Sequence, residues 1–376
     1  MKVLHVNMNL DAVHGGGTVE RVWQLHRCMK QMPDVQSRIL CLHSPDGHGQ
    51  KDADVIEIPC LNRRWYLPAP YLLLMYRQAR WADVIHLMNH WTVINALMYI
   101  MACLTHTPYV VCPAGALTLF GRSGAQKRLY RTLIGRNILR QSSAAIVIAE
   151  HERGLLYNEG VSETKIEHIP NGVNADDFRC QDVRQFRHQA NLGDRDYILF
   201  VGRLNPIKGA DLLLQAFASL AQDFPMVDLV LAGPDGGQRM ELEQQALAAG
   251  LQSRIHFPGV VRGGEKSAAY HHALVTVIPS RKEAMSIVAL EAAICASPVV
   301  LTDQCGFDHM EEAGAALLAE ANSESLARRL REVLRYDCSA RNTMGQRGQA
   351  FARDHYTWQW AAKRHIKMFE TCISSS

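Results

Sequence analysis

No run of apolar residues in this chain is long enough to cross a bilayer. The longest, "WTVINALMYIMACL" from Trp91 to Leu104, holds about fourteen residues against the ~20 that a spanning helix needs, so it predicts a buried helix. No secretory signal opens the sequence either: "MKVLHVNMNLD" carries one lysine and a short strand-like run to Asn7, with no small-residue cleavage site, which leads us to expect cytoplasmic residence. No C-x-x-C pair occurs among the ten cysteines. That argues against a zinc ribbon and against a secreted disulfide framework, and it predicts reduced core thiols. Low-complexity segments and short solenoid repeats are also missing.

One stretch lacks acids. Between Ile58 and Ala149 ten Lys or Arg meet a single acid, Asp83, although the whole chain carries only +3. One face or lobe is therefore basic. Nucleic acid explains this poorly, because no aromatic platform or recognition motif accompanies the charge.

What is present is a rhythm. A length of 376 residues with 48% apolar content suggests two domains. Short apolar runs bounded by glycine or proline ("KVLHVNM", "SRILCLH", "DVIHLMN", "PYVVCPAG", "AAIVIAE") alternate with helix-like segments, and the rhythm repeats with "YILFVG", "DLVLAG", "RIHFPG", "LVTVIPS" and "SPVVLTD". This predicts two parallel sheets built from βαβ units, two Rossmann-like domains with their boundary in the polar stretch from Asn174 to Arg195. Beyond Asp303 the pattern turns helical.

Ligands of doubly wound sheets bind beyond the carboxyl ends of the strands, so chemistry should collect in the loops there. "HGGGTVERV", His14 to Val22, offers glycines and a helix start, which suit an anion as well as a merely flexible turn. "VGRLNPIKG", Val201 to Gly209, sets Arg203 and Lys208 where a pyrophosphate or bulk solvent could meet them. "RKEAMSIVALE", 281 to 291, holds two carboxylates eight positions apart. A helix beginning near Met285 would offer the amides of Met285, Ser286, Ile287 and Val288 to a phosphate. Glu283 would then lie at the strand mouth, and Glu291 nearly two turns inside the helix, where the apolar "IVALEAAICA" leaves little polar face for it.

Taken in order, the Gly-rich first loop, "IPNGV", "GRLNPIKG" and the E-x7-E of "EAMSIVALE" resemble the retaining glycosyltransferases of family 4, which have the GT-B fold. The resemblance covers nearly the whole chain. It implies two Rossmann-like domains facing a central cleft: residues 1–180 binding acceptor, 190–356 binding nucleotide sugar, and a terminal helix, 357–376, returning to the first domain. It implies that Arg203 and Lys208, with Gly202 beside them, bind the donor diphosphate and offset leaving-group charge. Glu283 would hold donor-sugar hydroxyls, Glu291 the ribose, and Gly16 and Gly17 would close over the diphosphate when the domains approach. No cofactor is implied beyond the nucleotide-sugar co-substrate, and no metal; no D-x-D stands in a plausible loop.

Two departures stand out. "AMS" replaces the usual residues after the first glutamate, and the loop "CPAGALT", with Ala114 and Gly115, lacks the histidine many relatives carry there and has Ala114 where arginine often stands, so it shows no side-chain base. His86 and His90 in "HLMNH" are the other candidates on the acceptor side, or ordinary structural histidines.

The segment from Gly124 to Gln141 sets Leu129, Leu133, Ile134 and Ile138 along one side. Lys127, Arg128 and Arg131 could meet an anionic inner-membrane surface, or solvent. The expected function is transfer of a sugar from a UDP- or GDP-sugar to a glycan or lipid-linked acceptor in cell-envelope polysaccharide or lipopolysaccharide synthesis. A GT-B epimerase and a non-catalytic GT-B subunit are the alternatives.

Overall fold

The computed structural model describes residues 1–11, 17–43, 52–62, 66–117, 124–307 and 309–375. The chain divides into two compact units, Met1–Asn171 with Trp358–Ser376, and Gly172–Thr357.

The first unit runs β1 (Lys2–Val6), α1 (Gly17–Lys30), β2 (Gln36–Leu42), β3 (Val55–Ile58), then an antiparallel hairpin of β4 (Cys60–Asn62) and β5 (Leu67–Pro68). It continues through α2 (Leu72–Trp81), β6 (Val84–Met88), α3 (Val93–Thr105), β7 (Tyr109–Cys112) and α4 (Gly124–Tyr130). A π-helical turn (Arg131–Gly135) leads into α5 (Arg136–Arg140), followed by β8 (Ala144–Val147), α6 (Glu152–Asn158) and β9 (Ile166–His168). Seven strands form a parallel sheet in the order β3-β2-β1-β6-β7-β8-β9. Strands such as β6, "VIHLM", are buried at every position, as a sheet covered on both faces requires.

In the second unit come α7 (Arg184–Gln189), β10 (Asp196–Val201), α8 (Ala210–Leu220), β11 (Val227–Ala232), α9 (Arg239–Ala248), β12 (Ile255–Gly259) and α10 (Gly263–His271). There follow β13 (Val275–Ile278), α11 (Ile287–Ile294), β14 (Val299–Thr302), α12 (His309–Glu312), β15 (Leu317–Ala319), α13 (Ser323–Arg335) and α14 (Cys338–His355). Its parallel sheet is ordered β12-β11-β10-β13-β14-β15.

The last helix, α15 (Trp358–Ser374), belongs to the first unit and packs on α1 and β6 through Ala362, His365 and Phe369. Arg21 of α1 is wholly buried there. It donates to the carbonyls of Ile169 and Pro170 and to Asn171 Oδ1 at 2.9–3.0 Å, and its Nη2 lies 3.3 Å from His365 Nε2. A buried guanidinium is tolerated because these acceptors replace its water.

Among the described residues no helix is long and apolar enough to cross a membrane. "WTVINALMYIMACL" forms α3 with its flanks, its start capped by Thr92 Oγ1, which accepts from Asn95 N. The cysteines are all free, but not all core: Cys103, Cys180 and Cys338 are exposed and Cys60 half-buried.

Candidate active site

In each sheet the strand order reverses once, between β1 and β6 and between β10 and β13. Such a reversal opens a crevice at the carboxyl ends of the two strands, because their connections leave in opposite directions. In the second unit the two loops at that point are 202–209 and 279–286, which carry Gly202, Arg203, Lys208 and Glu283.

These loops are bound together at several places. Gly209 has φ +70°, and a Cβ on it would come within 2.0 Å of the Pro279 carbonyl oxygen, so glycine is demanded by both backbone and space. The Arg281 amide donates to Ile207 O at 2.8 Å. The Arg281 guanidinium reaches Pro206 O at 2.6 Å and grips Asp211 through two parallel bonds of 2.8 and 2.6 Å, the geometry that fits a planar fork to a carboxylate. Burial works to raise the Asp211 carboxyl, yet the bonds from Arg281 outweigh it and hold it below the ordinary range.

Across the join, Lys208 Nζ stands 2.9 Å from Glu283 Oε1. The same oxygen accepts from Ser280 Oγ at 2.5 Å, and the Glu283 amide donates to Gln304 O. Gly306, at φ +74°, lets the chain pass the Ala284 carbonyl, which a Cβ would meet at 2.3 Å. Cys305 lies nearby; burial first, then the Glu283 charge, push its thiol up to about 12. It therefore stays protonated and is no nucleophile.

The helix after Glu283 starts later than the sequence pattern suggests. Ser286 is the residue before the first helical position, Ile287, and its amide is engaged by Cys305 O at 3.1 Å. Met285 and Ser286 thus precede the helix, which leaves Ile287 and Val288 as the first amides without an intrahelical acceptor. Ser286 Oγ is buried and has no hydrogen-bond partner among the described residues. That is uncommon for a serine in a capping position, whose hydroxyl ordinarily accepts from the first turn. An orphaned hydroxyl, two outward amides and a positive helix end together fit an anion.

Glu291 is the fifth residue of α11, little more than one turn in rather than nearly two. It is not waiting unpartnered: Lys266 Nζ donates to Oε1 at 2.7 Å and Tyr270 OH to Oε2 at 2.8 Å. Burial first, then the Glu291 charge, push the Tyr270 hydroxyl well above its usual value, so it remains a donor. Each carboxylate oxygen keeps a second lone pair for a further hydroxyl. Lys266, Tyr270, Ser280, Arg281 and Asp211 are absent from the sequence-based expectations. The spacing of Lys266 and Tyr270 puts them on one face of α10, but nothing in the sequence says that this face meets Glu291.

In the first unit the acceptor-side candidates need correction. His86 lies in the middle of β6 rather than at its end, wholly buried, with its Nδ1 3.0 Å from His5 Nδ1 and its ring against His365 and Phe369. Burial, then the neighbouring His5, hold it well below its usual pKa. His90 follows the strand but is only 2% exposed, edge-on to Trp91 and Tyr130. The π turn brings Gly135 so close that a Cβ there would stand 3.1 Å from His90 Nε2. Burial lowers His90 to about 4. Neither histidine presents a base to a surface.

Ala114 and Gly115 form a left-handed turn after β7, with φ +50° and +84°. Gly115 N donates to the buried Glu152 Oε1 at 2.5 Å. Gly17 is the exposed first residue of α1, and Gly16 lies outside the described residues.

The basic segment also differs from its pattern. Leu129 and Leu133 are 60% and 69% exposed, whereas Ile138 is buried and Ile134 packs on the core. Arg131 is tied to Glu159 at 2.7 Å, and Lys127 sits 5.8 Å over the Trp91 ring. Of the three membrane candidates only Arg128 is exposed, Lys127 and Arg131 being partly buried. Among the described residues no three His, Cys, Asp or Glu stand together as a metal site.

Two family profiles match the chain: "Glycosyl transferases group 1" over residues 182–351 and "Glycosyl transferase 4-like domain" over 16–172. A D-inositol 3-phosphate glycosyltransferase of Frankia alni is 32% identical over 196 residues, 50% of this chain and 47% of its own. The chain thus spans about half the length of the curated relatives it matches. HepE of Anabaena, crystallised with UDP and glucose, superposes with a TM-score of 0.80 at 18% identity, over 99% of this chain and 100% of its own. Sucrose-phosphate synthase of Thermosynechococcus elongatus gives 0.79 at 21%, covering both chains completely. At these identities the likeness shows the fold, that of the GT-B glycosyltransferases.

Proposed function

Because this chain belongs to the group 1 glycosyltransferases, we propose that it moves a hexose from a UDP- or GDP-sugar to a glycan or lipid-linked acceptor, with retention, in making a cell-envelope polysaccharide. The observation that carries this reading is the buried, unpartnered Ser286 hydroxyl at the start of α11, between Glu283 and Glu291. A diphosphate is the anion that would join a sugar held at Glu283 to a ribose held at Glu291. HepE was crystallised with UDP-glucose, which favours a uridine donor.

Each group then has a task. Lys208, released from Glu283, and Arg203 meet the charge that grows on the departing nucleotide, where fixed cations in a site shielded from water act most strongly. Those two side chains supply the compensation that a metal would otherwise provide, so the proposed transfer runs without one. Glu283, no longer engaged by Lys208, accepts hydroxyls of the sugar. With no side-chain base in the Cys112–Ala116 loop, the leaving phosphate takes the acceptor proton as the new bond forms on the same face.

The test is release of UDP or GDP from a panel of nucleotide sugars, with and without EDTA. Wild-type protein is expected to release nucleotide from at least one donor, unaffected by EDTA, and Glu283→Ala to release it about 10² times more slowly. Tight donor binding without release from any sugar, even with acceptor-rich membranes added, overturns transfer in favour of a non-catalytic role.

A further inference from the structure

Helix α2 is apolar on the side it buries and apolar again on the side it shows. Met75 and Ala79 are fully buried. Facing away, Leu72, Leu73 and Tyr76 are 45%, 63% and 37% exposed, and Arg77 and Arg80 are exposed beside them. The spacing i, i+1, i+4, i+5, i+8 places these five on one stripe. The helix packs on α3, which in turn touches β5, so the stripe stands on a rigid support. Three large apolar side chains exposed side by side and bordered by charged residues mark a contact site.

The charge identifies the partner. Arg77 and Arg80 make no ion pair among the described residues. Asp83, the single acid between Ile58 and Ala149, is 2.7 Å from the Lys2 amide that donates to it. A second copy of the chain on this face would set arginine against arginine, because a two-fold contact pairs each patch with itself. An anionic bilayer instead offers an apolar phase and negative headgroups in one surface. The π turn and α5 serve less well, since Glu159 holds Arg131 of the turn and, at 3.4 Å, Arg136 of the helix.

We propose that α2 lies in the surface of an anionic bilayer, with Leu72, Leu73 and Tyr76 entering the boundary of headgroups and acyl chains and Arg77 and Arg80 meeting lipid phosphates. The inference stands apart from the sugar-transfer reading, since either can hold without the other. The experiment is sedimentation of the full chain with vesicles of phosphatidylcholine alone and of phosphatidylcholine mixed with phosphatidylglycerol. Wild type is expected in the pellet with the mixed vesicles only, released by high salt. Arg77→Gln with Arg80→Gln should lower partitioning about 30-fold at low salt, and Leu73→Glu with Tyr76→Glu should abolish it. Lys127→Gln with Arg128→Gln should retain it. All these positions are at the surface, so unchanged melting and unchanged nucleotide release in solution establish that the variants fold. Wild type left in the supernatant with both vesicles, or Leu73→Glu with Tyr76→Glu pelleting as wild type does, overturns the proposal. So does a wild-type dimer in gel filtration that this same variant makes monomeric, since the face would then be a contact between copies.

Discussion

Lys208 Nζ lies 2.9 Å from Glu283 Oε1: the cation proposed for the diphosphate and the carboxylate proposed for the sugar neutralise one another. A donor bound as proposed would therefore break one ion pair to make two contacts. Part of its binding energy is spent on that exchange, and the exchange couples phosphate arrival to release of the sugar-binding carboxylate.

Glu283→Gln removes the competitor for Lys208. We expect bare UDP or GDP to bind more tightly to this variant than to wild type, by about threefold to tenfold, the worth of a partly exposed ion pair, while nucleotide release from the sugar donor slows. Calorimetric titration and a release assay read the two effects separately. Weaker binding of the bare nucleotide would show that Lys208 is not held back by Glu283.

Glu291 offers a sharper chemical control. Glu291→Gln loses the charge that Lys266 and Tyr270 orient and is expected to weaken binding of an ordinary nucleoside diphosphate by about tenfold or more, the cost of a charged hydrogen-bonding partner. The 2′,3′-dideoxy nucleotide, which has no diol, should bind wild type and variant alike. Equal losses for both nucleotides would remove Glu291 from the ribose.

At Gly209 two costs coincide, a left-handed backbone and a Cβ 2.0 Å from Pro279 O. Gly209→Ala is expected to destabilise the second unit by more than about 2 kcal/mol and to shift the Lys208 loop off the Glu283 loop. Urea unfolding measures the first, and loss of nucleotide affinity the second. An alanine variant that melts and binds as wild type does would contradict the packing described here.

Buried histidines make stability depend on acid. His5 is lowered to about 3 and His90 to about 4, in both cases chiefly by burial, while His86 and His365 lie well below the ordinary 6.5 for the same reason. Below pH 6.5 the unfolded chain takes up protons that the folded chain refuses, so stability falls as pH falls. The decline should run from about pH 6.5 to about 4 for His90 and on to about 3 for His5, at up to ~1.4 kcal/mol per pH unit for each such histidine. Denaturant midpoints at neutral and mildly acidic pH provide the measurement; a flat profile across that window would mean that these rings are solvated.

The apolar runs of "YILFVG" or "LVTVIPS" and the glycine that closes "GRLNPIKG" made the strands and their turns legible, because strand burial and backbone conformation are set by neighbouring residues. Arg203, Lys208 and Glu283 were legible as candidates for the same reason: each stands in the loop that leaves a strand end, and strand ends at a reversal of order share one crevice. The start of α11 was misjudged by two residues, since Cys305, nineteen positions beyond Ser286, takes the amide that local pattern would assign to the helix.

By itself, then, the sequence determined two parallel sheets and the loops in which the candidate site residues stand, since periodicity, turn residues and strand ends are local properties. Tertiary structure decided what each group faces. It gave Glu291 to Lys266, 25 positions away, withdrew His86 beneath α15, paired Arg131 with Glu159 and left Leu72 and Leu73 of α2 in solvent. The partner of a side chain depends on which distant element packs beside it, and that is settled only when the whole sheet and its covering helices are in place.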